Sequence, residues 1–500
     1  MTEAAVTVYD VIREVAGSRA NANALTFGDL SFSYALFLDH INNVAGVLAA
    51  EGVGKSDKFA VYGQNAPEIL ASYFASAKIG AVMVPINPSM TASEVSKVME
   101  HCDASLLFHD KVVAEAAAKA APASRRRPLS VLSQFAHKAA AIAGNSPQDD
   151  FTIVYTSGST GTPKAIVLSH KSQVDVLDAL GEMWGLSSQD VTVVALPLGY
   201  LYGLSTAAAA GLRAGGKIVL LRRFHPAEVL ATLVGSRATV FHGVPTMFSM
   251  MLEYAEQHEL QFDLSFMRAL ISAGAPLADE LKLRFESRFG KAIQNYYALS
   301  ECTPVFGVFA SDKQPMPHGV LGKLAPMAQA KIVDEQGKEC AQGEAGELFV
   351  KGASLMTRYH KDPINTRQVF VDGWFKTGDI AREAPPGHYS IVGRRKDIII
   401  RGGANISPPE VEAILIRHPA VQDAAVIGVP DRILGEIPVA AIVLRPSASV
   451  TLMELAKFAS LELAEFKVPT QFAYLSELPL GQTGKVDKNA LKKKWKEIFK

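Results

Sequence analysis

The stretch "YTSGSTGTPKAIVLSH", residues 155–170, sets seven consecutive glycine, serine or threonine residues, Thr156 to Thr162, just ahead of Lys164. A Walker-type phosphate loop needs Gly directly before its Lys and a helix after it. Here Pro163 precedes Lys164, and the following "AIVLSH" is β-branched and apolar, which predicts a strand. The stretch therefore reads strand–loop–strand, with no helix dipole behind the loop. Gly158 and Gly161 permit tight backbone curvature, and successive N–H groups in such a loop form an anion-binding concavity. The hydroxyls of Thr156, Ser157, Ser159, Thr160 and Thr162 add donors, and Lys164 adds charge. A plain Gly/Ser linker is the alternative, but such linkers rarely sit between two buried strands.

Upstream, helical and strand patterns alternate. "YALFLDHINNVAGVLAAEG" has apolar residues at helical spacing and stops at Gly52; "KFAVYGQ" is a short strand. "APEILASYFASAKIG" opens on Pro and closes on Gly as a helix should, and "AVMVPI" is a second buried strand. This βαβ rhythm implies a mostly parallel sheet covered by helices. The Ala-rich run 112–130 reads as a surface helix entering a loop, with Arg125, Arg126 and Arg127 as a solvated charge run rather than a phosphate site. Further βα units run from Asp190 to Phe289. After Gly319 the texture becomes that of a small antiparallel β-unit, and the last hundred or so residues form a compact α+β tail. The domains expected are 1–393 and 394–500.

Composition narrows the class. Fifty basic and fifty acidic side chains cancel in 500 residues, so nothing in the bulk charge favours a nucleic-acid or acidic-membrane partner. The basic end "LKKKWKEIFK" reads as a solvated helix face. Three scattered cysteines, Cys102, Cys302 and Cys340, form neither a disulfide framework nor metal-ligand pairs, which points to a reducing cytoplasm. The start lacks a basic segment followed by an apolar run, so no signal peptide is expected. The most apolar stretch is too short and too interrupted to span a bilayer.

Five further motifs follow the loop in order: "SAGAPL" (272–277), "NYYALSE" (295–301), "GWFKTGDIA" (373–381), "GRRKDIIIRGGANISPPEVE" (393–412) and "PLGQTGKVDKNAL" (479–491). With the loop, they resemble the adenylate-forming superfamily of acyl- and aryl-CoA ligases, nonribosomal adenylation domains and firefly-type luciferases. The resemblance covers nearly the whole chain. It implies an α/β fold with a large N-terminal domain of layered sheets plus a small β-unit, and a small mobile α+β C-terminal domain. It also implies a two-step reaction. A carboxylate attacks the α-phosphorus of ATP to give an acyl-adenylate and pyrophosphate; a thiol then takes the acyl group and AMP leaves. ATP, Mg²⁺, CoA and a small carboxylic acid are the implied partners, and the oligomeric state stays open, a homodimer included.

Bringing two anions together requires positive charge, donors and a metal, and phosphoryl transfer leaves the protein mainly positioning and neutralisation. By resemblance, the 156–164 loop holds the β- and γ-phosphates. Glu301, with Thr160, serves the Mg²⁺ side, and Ser300 joins the nucleotide site. Tyr297 stacks on adenine, Asn295 meets the exocyclic amine, and Gly274, Ala275 and Pro276 form the other wall. Asp379 accepts from the ribose hydroxyls with Arg394 close by, the device dinucleotide folds use for a diol. Lys485 bridges the attacking carboxylate and the α-phosphate. Lys396 sits at the hinge; Gly402, Gly403 and Phe466 face CoA.

The acyl pocket expected is Tyr200, His242, Ala273, Gly274, Ala298 and Thr303. Tyr200 stands where many family members carry His, Ala298 where Gly is commonest, and Ala165 where Gly is usual. A mostly apolar lining implies a monocarboxylic acid, aromatic or of short-to-medium chain. His242 reads equally as a satisfied core histidine. A stand-alone adenylation domain loading a carrier protein is the first rival, but no acidic residue lies in 195–206 to pair with an amino acid's ammonium. Nothing specific supports an oxygenase, and Lys485 and Glu301 both stand against a non-catalytic relative.

Overall fold

The computed structural model describes residues 7–134, 140–156, 164–312, 316–317, 319–402, 404–481 and 486–499, with Asn405 described by its backbone alone. Among the described residues the strands assemble into four sheets.

A seven-stranded sheet runs in the order Arg358–Tyr359, Lys164–Ser169, Asp150–Thr156, Val82–Ile86, Lys58–Tyr62, Leu106–His109, Arg126–Pro128. A nine-stranded sheet runs Lys323–Leu324, Cys302–Gly307, Ile293–Leu299, Ala269–Ser272, Val240–Gly243, Val191–Val194, Lys217–Leu220, Asn23–Phe27, Leu30–Ser33. Its central strands are parallel, as the βα rhythm predicts. The helices Val8–Arg19, Tyr34–Ala50, Pro67–Ile79 and His170–Trp184 fill the space between the two sheets and share one core with both. Pro226–Gly235, Pro245–Gln257 and Asp279–Phe289 cover the far face of the larger sheet. Ala92–His101 and Ala114–Ala120 cover that of the smaller. The result is a five-layer stack.

Pro67–Ile79 shows why that sequence is apolar all round. Every residue but Glu68 is buried, as expected of a helix with sheets on both sides. Fully buried side chains such as Leu70 and Phe74 each contribute roughly 1.5–3 kcal/mol. Lys78 on this helix is buried too, its ammonium donating to Asn42 Oδ1 at 2.8 Å, and burial lowers its pKa.

The segment after Gly319 forms a five-stranded antiparallel unit built on Ala328–Val333, Ala345–Gly352 and Trp374–Glu383, to which Tyr389–Arg394 pairs. A separate mixed sheet begins at Ile399–Arg401 and includes Val421–Asp431, Gly435–Leu444 and Gln471–Tyr474. Pro408–Ile416 and Leu452–Glu462 pack on one face of it and Lys488–Ile498 on the other.

One expectation is corrected. Residues 112–130 hold the expected surface helix but not a solvated charge run. A helix covers Ala114–Ala120, and Arg126–Pro128 is an edge strand parallel to Leu106–His109. The Arg125 guanidinium donates to the Ala104 carbonyl, and Arg127 pairs with Glu51 at 2.7 Å. Arg125 and Arg127 are engaged because their forks reach backbone carbonyls and a carboxylate.

Candidate active site

Asp150–Thr156 and Lys164–Ser169 are antiparallel neighbours, with Thr156 opposite Lys164. The two strands expected on either side of residues 157–163 are thus present and paired. Ser157, Gly158, Ser159, Thr160, Gly161 and Thr162, together with Gly403 and Lys485, lie outside the described residues.

Lys164 is anchored at the strand's start. Its ammonium donates to the Tyr359 hydroxyl at 3.4 Å and stands 4.9 Å from the ring centroid, a cation–π distance. Tyr359 in turn donates to Glu301 Oε1 at 3.0 Å. Its phenol pKa is raised by burial and by the Glu301 charge, so it stays a neutral donor. Strand Arg358–Tyr359 pairs with Lys164–Ser169, which is how a residue far along the chain comes to join the loop's lysine to Glu301. The site expectation omitted Tyr359.

Asp379 anchors a second cluster. It is 2% exposed. Its hairpin puts it directly opposite Arg394, whose Nε pairs with Oδ1 at 3.0 Å. The Tyr297 hydroxyl donates to Oδ2. The Asp379 backbone N–H donates to Thr377 Oγ1 at 3.0 Å, while that hydroxyl donates to the Leu348 carbonyl at 2.8 Å. Burial and the Asp379 charge push the Tyr297 pKa up. A carboxylate offers about four acceptor positions, so these partners leave capacity for a diol. The sequence placed Asp379 beside Arg394 and missed the phenol. The Tyr297 ring lies nearly parallel to Phe306, centroids 5.7 Å apart at 24°.

Asn295 donates to the Val320 carbonyl at 3.4 Å. It is level with Ser272 across the parallel strands, so the "GAP" segment 274–276 leaves the sheet beside it. Gly274 has φ +87°, a left-handed turn that favours glycine. Ser300 and Thr303 lie with Thr206, Ser205, Gln173 and Ser354 around a crevice too narrow to admit a water molecule. The Thr303 hydroxyl donates to the Leu299 carbonyl at 2.6 Å.

The expected acyl-pocket residues divide. Ala273 is buried and Ala298 partly buried, both against the central core. Tyr200 is engaged by the Asn87 amide. His242 is 1% exposed, and burial lowers its pKa to about 3, so it is neutral across the physiological range. Its Nδ1 is buried with no hydrogen-bond partner among the described residues.

In the C-terminal sheet, Gly402 has φ +57° and its N–H donates to the Leu434 carbonyl at 2.8 Å. The adjacent Arg401 donates to the Phe466 carbonyl at 2.7 Å, which ties together two of the three residues expected to face CoA. Lys396 is exposed between the two sheets' strands. Across the two parts of the chain, Arg445 pairs with Glu280 at 2.8 Å.

The comparisons agree with this architecture. The AMP-binding enzyme family matches residues 12–360, and the AMP-binding enzyme C-terminal domain matches 410–485. The chain is 32% identical to the putative acyl-CoA synthetase YngI of Bacillus subtilis, over 99% of this chain and 98% of that protein. It is 32% identical to a feruloyl-CoA synthase of Amycolatopsis, over 95% and 96% of the two. ATP-bound MatB from Rhodopseudomonas palustris superposes with a TM-score of 0.90 at 29% identity, covering 99% of this chain and 100% of that one.

Proposed function

Because the chain belongs to the AMP-binding enzyme family, we propose that it is an ATP-dependent acid–CoA ligase. It activates a monocarboxylic acid, aromatic or of short-to-medium chain, as an acyl-adenylate, then transfers the acyl group to CoA and releases AMP. The observation that carries this reading is the pairing of two prebuilt clusters, Asp379 with Tyr297 and Arg394, and Glu301 with Tyr359 and Lys164.

In the first step a carboxylate oxygen bonds to the α-phosphorus as the bond to pyrophosphate breaks. Lys164 supplies a fixed cation at the edge of the phosphate loop, and Tyr359 holds both it and Glu301 in place. Asp379 accepts from the ribose hydroxyls, with Arg394 and Tyr297 fixing its carboxylate so that no reorganisation is needed on binding. Among the described residues, no group of three or more His, Cys, Asp or Glu side chains is placed to hold a metal ion. One carboxylate, Glu301, plus substrate phosphates is the oxygen donor set that suits Mg²⁺, which would neutralise phosphate charge there. Lys485 neutralises the developing charge at the reacting phosphorus. In the second step the CoA sulfur bonds to the acyl carbon, AMP leaves, and the thiol proton passes to solvent.

The domain boundary we propose is 393/394, at the last residue of the Tyr389–Arg394 strand, with Lys396 at the hinge and Gly402, Gly403 and Phe466 toward CoA. No described helix is long and apolar enough to cross a membrane. Three unpaired cysteines, two of them buried, suit a reducing cytoplasm.

The test is a carboxylic-acid panel scored by pyrophosphate release with and without CoA. Acid-dependent release with stoichiometric acyl-CoA is expected. Pyrophosphate exchange with an acid but no turnover with CoA would favour a carrier protein as acceptor.

A further inference from the structure

Residues 356–361, "MTRYHK", run beside the second strand of the phosphate loop, and their contacts reach several charged groups around it. The Thr357 and His360 backbone N–H groups donate to the Val167 and Ala165 carbonyls at 2.8 Å and 2.7 Å, which fixes the register that sets Tyr359 opposite Ile166. The Met356 N–H donates to the Glu301 backbone carbonyl at 2.8 Å. This segment therefore holds Glu301 twice, by its backbone through Met356 and by its carboxylate through the Tyr359 hydroxyl. Arg358 adds a tie to Asp150 through two hydrogen bonds of 2.9 Å and 2.6 Å.

Tyr359 is itself fixed. It is buried in the core with Val154, Ile166 and Phe306, and its backbone N–H donates to Thr366 Oγ1 at 3.0 Å. Its hydroxyl accepts from the Lys164 ammonium at 3.4 Å and donates to Glu301 Oε1 at 3.0 Å. A lysine and a glutamate gathered at one hydroxyl are opposite charges drawn to each other. A direct pair would turn the cation away from the phosphates and the carboxylate away from a metal ion. Among the described residues the two are joined instead through the phenol. An ammonium has about three donors and a carboxylate about four acceptor positions, and the phenol takes one of each. The ring adds a further hold that uses no donor, for the ammonium stands 4.9 Å from its centroid, within cation–π range.

Resting on the ligase reading above, we propose that Tyr359 is a positioning residue that acts as a spacer: its phenol keeps Lys164 and Glu301 linked but not directly paired, so that the cation meets the nucleotide phosphates and the carboxylate meets the magnesium of Mg·ATP. Removing the hydroxyl lets the two charges pair with each other, and both are then lost to the ligand. The contribution of the hydroxyl to nucleotide binding therefore depends on the Glu301 charge.

The experiment measures equilibrium binding of Mg·ATP to the full chain by calorimetry, with no acid present so that no chemistry follows. Tyr359→Phe keeps the ring and deletes the hydroxyl. Its dissociation constant for Mg·ATP should rise about 10-fold, and the KM for ATP with it, while the KM for CoA stays within about twofold. In a Glu301→Gln background, where no direct ion pair can form, the same change should raise the dissociation constant by less than about threefold. Arg358→Ala cuts the tie to Asp150 and leaves the phenol, so it should change Mg·ATP affinity by less than about twofold. Thermal melting confirms the fold of each variant. If Tyr359→Phe binds Mg·ATP as the unaltered chain does, or loses the same factor with and without the Glu301 charge, or if Arg358→Ala loses as much, the inference falls while the ligase reading stands. If the unaltered chain binds no Mg·ATP and releases no pyrophosphate with any acid, both fall together.

Discussion

Asp379 and Phe466 mark two regions built in opposite ways. The carboxylate is 2% exposed and gripped by a phenol, a guanidinium and a threonine-supported backbone. The phenylalanine is 38% exposed and touches its neighbours through its own carbonyl. The large region has its polar groups aligned before any ligand arrives, while the C-terminal region presents Phe466 on its surface. The difference teaches a division of labour. Prebuilt groups stabilise charge without reorganising, and displayed groups must be carried to the reaction.

The hardest blow to that division is Lys485→Ala. If an ammonium from the C-terminal region completes the adenylation site, single-turnover acyl-adenylate formation should fall about 10²–10³-fold. Transfer to CoA from supplied acyl-adenylate should change far less. Loss of both half-reactions to the same degree would mean that the residue acts on the fold or on both steps, and the comparison would break.

Next in size is Asp379→Asn. Hydrogen bonds to a charged group are worth about 1.5–3 kcal/mol, so kcat/KM for ATP should drop about 10- to 100-fold, with the KM for CoA little moved. A purely structural Asp379 would instead lower the melting temperature and leave the KM for ATP unchanged.

These contrasts also separate local sequence signals from long-range contacts. The Gly/Ser/Thr loop and its Lys, the "TGD" turn and the Gly-rich "RGG" are local signals, because tight turns and close approaches demand particular residues in a row. Asp379 beside Arg394 follows from one hairpin. Tyr359 had no such signal: it joins Glu301, 58 residues away, to Lys164, 195 residues away. That contact exists only once a two-residue strand pairs with the loop's second strand. The arginines at 125–127 misled because a short edge strand is indistinguishable from a charged loop until its neighbour is known.

Within the C-terminal sheet the comparison can be sharpened by asking whether it holds a buried charge of its own. Asp423 is that group. Burial, with the Glu412 charge adding, raises its pKa from 3.8 to about 6, against the Ala424 N–H that lowers it. The folded state therefore binds the proton more tightly than the unfolded state. The benefit is full below the unfolded value and is lost as pH rises through about 6. Asp423→Asn should raise unfolding stability by about 1–3 kcal/mol at pH 8 and by little at pH 4. Denaturant unfolding of the full chain at both values reads the difference, and equal effects at the two would refute the assignment.

The smallest effect tests how the two regions meet. Arg445 and Glu280 form a pair at 2.8 Å across them, with side chains 27% and 30% exposed. Partly exposed ion pairs are worth about 0.2–1 kcal/mol, too little to hold the C-terminal sheet in one place but enough to bias where it rests. Arg445→Ala should therefore leave global stability almost unchanged. It should shift the balance between the half-reactions by about 1.4- to 5-fold, slowing adenylation relative to thiol transfer. Glu280→Ala should do the same, and the double variant should add little to either single change, because both remove one contact. Additive losses, or equal slowing of both steps, would show that the pair plays no part in positioning. The contrast between an aligned site and a displayed one would then have to rest on other contacts.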